Sequence, residues 1–249
     1  MPRQFSPLEA EHTPDAVAAR IGAERRFGYI RDFVYGSIDG CVTTFAIVSG
    51  VVGAELSSGV IIVLGLANLL ADGFSMAVSN YLGTKADRQV VGRARAIEEA
   101  HVERIPEGER EEIREIFRLK GFEGDLLERV VDVVTSDRRL WIDTMLREEW
   151  GLALEGPSPV KAGLVTFGAF VLLGTVPLAP FLIQPAAEDV AAVFAVSCVL
   201  TALAFFGIGA WKSMFGTGRW LRSGIETLLM GGGAAVVAYA VGSLLKNLA

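Results

Sequence analysis

Five apolar runs, each long enough to cross a bilayer, are interrupted by a single block that holds most of the chain's charge. A membrane span needs about 20 mostly apolar residues. Residues 32–54, 59–82, 160–184, 188–211 and 223–246 meet that requirement. Between Lys85 and Glu155 lie 13 of the 23 Lys and Arg and 18 of the 29 Asp and Glu. A chain 51% hydrophobic and 21% charged is too apolar for an ordinary soluble domain and too charged to be all membrane, and segregation reconciles the two. Backbone inside hydrocarbon must satisfy its own polar groups, which dictates helices for the apolar runs. The charged block also carries helical patterns, so the expected fold is an all-α membrane protein of five transmembrane helices with a helical insertion between helices 2 and 3.

Four segments follow: an N-terminal arm over 1–30, helices 1 and 2 over 31–88, the insertion over 89–157, and helices 3 to 5 over 158–249. The arm lacks the apolar h-region of a cleavable signal peptide. Gly53 to Gly59 reads as a short turn, and Gln184 to Asp189 as another. Pro177, Pro180 and Pro185 are expected to kink or stop the third span. Orientation follows from Lys and Arg in the short flanks. Arg20, Arg25, Arg26 and Arg31 precede span 1, and Lys212, Arg219 and Arg222 lie between spans 4 and 5, whereas the turns after spans 1 and 3 carry neither type. The arm and the insertion are therefore expected in the cytoplasm and the C-terminus outside, with Lys246 the one dissenting charge.

Within the insertion, residues 85–105 hold helix formers with no breaker except Gly92, so span 2 is expected to continue beyond the membrane. Pro106-Glu-Gly marks a turn. Glu107 to Leu119 is a second helix with Ile113, Ile116 and Phe117 as its apolar face. Gly121-Phe-Glu-Gly124 breaks it, and Leu126 to Val134 and Arg138 to Trp150 are two more helices. Net charge is −6, which argues against a nucleic-acid partner. Cys41 and Cys198 lie in apolar runs without CxxC spacing and read as small packing residues.

Glu98 and His101, spaced i, i+3, share a helix face on which a carboxylate and an imidazole can meet one metal ion. Glu109, Glu112 and Glu115 recur every three residues, and Met145 and Glu149 are one turn apart. Carboxylates with one imidazole suit Mn²⁺ and Fe²⁺, and a thioether adds softness. Glu99 and Glu103 are more peripheral candidates. The same spacing equally describes a solvated acidic helix face.

The membrane part carries a sharper signal, because an ionised carboxylate in hydrocarbon costs several kcal/mol or more. Asp39 lies inside Gly36-x-x-x-Gly40, whose small residues permit close helix approach. Asp72 and Met76 share a face of the second span, with Ser75 beside them and Asn68 one turn before. The alternative for Asp39 is a structural acid satisfied by a neighbouring helix. Gly207-Ile-Gly209 and Gly231-Gly-Gly233 are read as close-packing sites.

Asp39-Gly40 with its following Thr/Phe/Gly run, Ser75-Met76 in the second span and the Glu-rich insertion together resemble the vacuolar iron transporter family, from about Arg31 to the C-terminus. The resemblance implies a five-span fold, a homodimer with its pathway on the two-fold axis, and export of Fe²⁺ or Mn²⁺ from the cytosol in exchange for protons. It places pathway roles on Asp39 and Met76, and metal-binding roles on Glu98, Glu109, Glu112, Glu149 and Met145. The sequence departs from that pattern at His101 and Asn68, where the family has glutamates, and at Leu146, where it has a second methionine; Asp72 is a substitute for the missing pathway acid. The cation is cargo, so no permanently bound cofactor is expected. Short chain length and compact loops suggest a bacterial inner membrane. A competing expectation, of a different class, is a membrane-anchored metal-storage or ferroxidase-like protein using the Glu/His cluster. Asp39 argues against it, since an anchor has no use for an intramembrane acid.

Overall fold

The computed structural model describes residues 12–22, 28–185, 188–216 and 218–247, and among these all regular structure is helical. The helices are α1 (Pro14–Gly22), α2 (Ile30–Gly53), α3 (Ser58–Arg104), α4 (Pro106–Leu119), α5 (Gly124–Ser136), α6 (Arg138–Glu148), α7 (Pro159–Ile183), α8 (Val190–Ser213) and α9 (Trp220–Leu245). Five of them, α2, α3, α7, α8 and α9, are long and apolar enough to cross a membrane. Their bounds fall within three residues of the apolar runs at every end but one, the far end of α3. Much of the expected arm, including Arg20, Arg25 and Arg26 among its side chains, lies outside what is described.

The 47 residues of α3 span about 70 Å at 1.5 Å per residue, more than twice the ~30 Å hydrocarbon layer. The helix persists because Ala, Arg, Gln and Glu dominate its second half. It ends where Pro106 pushes Ile105 out of helical geometry (φ −134°, ψ 52°). Pro106 then opens α4, with Glu107 and Glu109 in its first turn favourably placed at the positive end of the helix dipole.

The continuation of α3 with α4, α5 and α6 closes a small bundle. Its core is Ile113, Leu127, Val131, Trp141 and Met145, with Ile116 and Phe117 packed at the margin. Ala94, Ile142 and Leu146 form a second seam against α3. Gly121 and Gly124 adopt positive φ in the break between α4 and α5. Asp137 caps α6 by accepting from the backbone N–H groups of Arg139 and Leu140.

In the membrane part α2 is the central element, lying against α7, α3 and α9. A Cβ added at Gly36 would strike the carbonyl oxygen of Thr166, and one at Gly40 that of Phe170, so α2 and α7 touch backbone to backbone. A Cβ at Gly174 on α7 would lie 2.8 Å from the Gly40 oxygen. Gly242 of α9 makes the same kind of contact with Gly50. Of the other glycine motifs, Gly209 and Gly231 are close-packed as expected, whereas Gly207, Gly232 and Gly233 face open space.

Two expectations need correction. The helix of span 3 runs through Pro177 and Pro180 and ends at Ile183. Both prolines are buried; their missing N–H groups free the Leu173 and Val176 carbonyls, and Ser197 of α8 ties itself to the same stretch by donating a 2.6 Å hydrogen bond to the Pro177 carbonyl. The stop comes before Pro185, which disfavours helical geometry at Gln184. The last helix of the insertion ends at Glu148 rather than Trp150. The N–H groups of Glu149 and Trp150 fold back onto the Met145 carbonyl, and Gly151 turns the chain away with φ +64°.

Gly40→Val is expected to cost at least the ~1–3 kcal/mol typical of overpacking, because backbone and not a flexible side chain must move. Thermal unfolding in detergent should show a lowered midpoint for this variant. Gly207→Ala, which points into open space, should leave that midpoint within error of the parent.

Candidate metal centre and intramembrane acid pair

Helical spacing on α3 and the sharp turn at Pro106 bring three groups together. One ligand atom each from Glu98, His101 and Glu109 lies within 4.8 Å of the others, close enough to share one cation. Glu98 and Glu109 are each 1% exposed, while His101 is half-exposed. His101 Nδ1 is 3.2 Å from Glu109 Oε1. Glu98 Oε2 and Glu109 Oε2 are buried without a hydrogen-bond partner. Buried carboxylate oxygens left unpaired are costly, and a cation would satisfy both.

The electrostatics agree with the geometry. Burial first, then the charges of Glu112 and Glu98, raise the Glu109 carboxyl to about 7 against the opposing effect of His101. Glu149 is also raised, first by burial and then by Glu98 and Glu112. Glu112 and Glu149 are exposed at the rim, near enough for their charges to be felt at the centre.

The other sequence candidates differ in their settings. Glu115 is exposed and paired with Arg118 at 2.7 Å, which pulls its carboxyl below the usual range. Glu99 and Glu103 are exposed on α3. Met145 is wholly buried and packs in the apolar core of the bundle with Ile113 and Val131.

In the membrane, α2 and α3 set Asp39 and Asp72 close enough for the two carboxylates to interact. Met76, one turn beyond Asp72, packs half-buried against the apolar core. Asn68, one turn before it, donates to Thr43 Oγ1 at 3.1 Å and to Thr44 Oγ1 at 3.4 Å. The four expected pathway residues thus lie on one stripe of α3 and the facing side of α2.

Comparison with known sequences decides the family. The sequence profile of the VIT family matches residues 30–243. The chain belongs to the VIT family. It is 38% identical to the vacuolar iron transporter of Toxoplasma gondii over 225 residues, covering 88% of this chain and 74% of that one. It is 33% identical to vacuolar iron transporter 1 of Arabidopsis thaliana, covering 88% and 86%. A vacuolar iron transporter of Plasmodium falciparum matches at 28% identity, covering 88% and 82%.

For this VIT-family chain, sequence reasoning passed over two polar contacts. Asp32, buried at 4% exposure, accepts a 2.9 Å hydrogen bond from Asn80 Nδ2, which also donates to Thr166 Oγ1 at 2.7 Å. This junction ties α2, α3 and α7 together two turns from Asp39. Its signal was present, since Asp32 stands seven residues before Asp39 and Asn80 four after Met76, on the same faces. The second is Trp150, whose Nε1 donates to Glu98 Oε1 at 2.8 Å. No spacing rule foretells it, because Trp150 reaches Glu98 only after the chain has left α6.

Proposed function

We propose that this protein exports Fe²⁺, and Mn²⁺ with the same ligands, from the cytosol across the membrane in exchange for protons. The observation that carries the reading is the pairing of Asp39 with Asp72 beside Met76 inside apolar spans of a VIT-family chain. Paired intramembrane acids are expensive and mark ion or proton paths. The relatives named vacuolar iron transporters support iron as cargo.

In this reading the bundle of α4–α6 and the end of α3 lies in the cytoplasm. Glu98, His101 and Glu109 collect the ion there, with Glu112 and Glu149 drawing it in electrostatically and Met145 in reserve as a soft donor. The ion then moves to Asp39, Asp72 and Met76, with Asn68 as a neutral oxygen ligand. Protons arriving from the outer side compete for the same carboxylates and release it. Two copies pair with their pathways at a shared axis. Compact loops suit a bacterial inner membrane, with the C-terminus outside.

Proteoliposomes test the reading. Fe²⁺ or Mn²⁺ uptake should depend on a pH gradient and collapse when an ionophore dissipates it. Uptake indifferent to the gradient would rule out proton exchange. Oxygen consumption on adding Fe²⁺ to the purified protein would instead favour ferroxidase chemistry.

The orientation makes its own prediction. Single cysteines replacing Glu123 and Lys161 in a background lacking Cys41 and Cys198 should react with an impermeant maleimide only from the cytoplasmic face, and one replacing Glu55 only from outside. Labelling of position 123 from outside would overturn both the orientation and the cytosolic-collection step.

A further inference from the structure

The two oxygens of Glu98 are held differently. Oε1 accepts the 2.8 Å hydrogen bond from the Trp150 indole, and Oε2 has no partner although the residue is 1% exposed. The indole arrives because α6 stops at Glu148 and Gly151 reverses the chain. It is a donor only, carried on a stiff side chain with two rotatable bonds and 42% exposed, and among the described residues its polar partner is Glu98.

We propose that Trp150 is a positioning residue of the cargo site: its N–H occupies Oε1 of Glu98, so that this carboxylate meets a divalent cation through Oε2 alone. The proposal rests on the reading of Glu98 as a metal ligand. Occupying one lone pair of Oε1 fixes the carboxylate's orientation and disfavours bidentate chelation at Glu98. Oε2 is then the oxygen left to meet the ion together with Glu109 and His101, and coordination positions remain open for water and for hand-over to the next ligand. Partners that orient a metal's ligands typically contribute 10- to 100-fold in affinity.

The test is a double-mutant cycle on the full chain in detergent, with Mn²⁺ as the probe and the dissociation constant and melting temperature measured for each protein. Glu98→Gln should weaken binding. Trp150→Phe, which keeps an aromatic ring but removes the donor, should weaken it about tenfold, with the metal-free protein still folded and its melting temperature lowered only by the unpaired Oε1. The double variant should bind no more weakly than Glu98→Gln alone, because the indole acts only through that carboxylate. A Trp150→Phe protein with parental affinity, or strictly additive losses, would overturn the positioning role while leaving the site intact. Parental affinity in Glu98→Gln would overturn the ligand reading and this inference together. Should Trp150→Phe aggregate, Trp150→His keeps a ring donor and takes its place in the cycle: affinity within about threefold of the parent supports the role, and a loss as large as that of Glu98→Gln refutes it.

Discussion

Asp39→Asn should reduce metal flux in proteoliposomes to near background while the protein folds, elutes and binds metal at the Glu98–His101–Glu109 cluster as the parent does. The amide matches the carboxylate in size and still offers hydrogen bonds, so a purely structural Asp39 would tolerate the change. What it loses is the negative charge and the ability to exchange a proton. Asp72 would then stand alone, and a divalent cation leaving water for the span would meet one carboxylate rather than two. The cost of placing that uncompensated charge in a low-dielectric path falls on the barrier. Gly36 and Gly40, which seat α2 on α7, are untouched, so packing gives no separate reason for failure. The measurement is initial flux beside the detergent elution profile and the Mn²⁺ affinity of the same preparation. Parental flux with a normal profile would refute the pathway.

The contrast between spans and insertion explains what could be read from sequence. Hydropathy and length delivered α2, α7, α8 and α9 nearly to the residue, because a bilayer imposes one length on every crossing element. The extension of α3 was legible as an absence of breakers between Lys85 and Ile105. Glu98 and His101 were legible as a helical i, i+3 pair. Glu109 met them because Pro106 reverses the chain one helical turn before it, which makes the register of α4 on α3 a matter of a single turn. Distances of that kind cannot be read from periodicity, and it was the family resemblance, not the spacing, that ranked Glu109 above Glu115. The structure separates them: one is buried beside His101, and the other is exposed and bound to Arg118. Trp150 stayed hidden for the same reason, since it meets Glu98 from the turn after α6, and the Asp32–Asn80–Thr166 junction, though its spacing was visible, joins three helices by side chains alone. Pro177 and Pro180 misled because a proline packed among neighbouring helices in a span need not end its helix, and both are buried inside this one.

Metal affinity at the cluster should rise about tenfold per pH unit below about 7 and flatten above it, with one proton released per ion bound in the lower range. Glu109 is the reason. Burial, then Glu112 and Glu98, hold its carboxyl at about 7, so at pH 6 it is mostly protonated and the ion must displace that proton. Glu149 is raised in the same direction, first by burial. The metal-free protein should show the opposite trend. A carboxyl raised in the folded state from an ordinary value of 4.5 binds more protons folded than unfolded between those two values. Its contribution to stability is therefore complete below about 4.5 and lost as the pH climbs through about 7. With chelator present, the bundle should be more protected from hydrogen exchange at pH 5.5 than at pH 8, and saturating Mn²⁺ should reverse the order. Calorimetry in two buffers of different ionisation heat counts the protons: close to one near pH 6 and close to none near pH 8. Glu109→Gln should bind metal weakly and flatten the pH dependence, because the proton that competes with the ion is gone. A parental slope in that variant would move the titrating group elsewhere in the cluster. No proton release at pH 6 in the parent would show that Glu109 is already ionised there, and the inverted stability trend of the metal-free bundle would have to vanish with it.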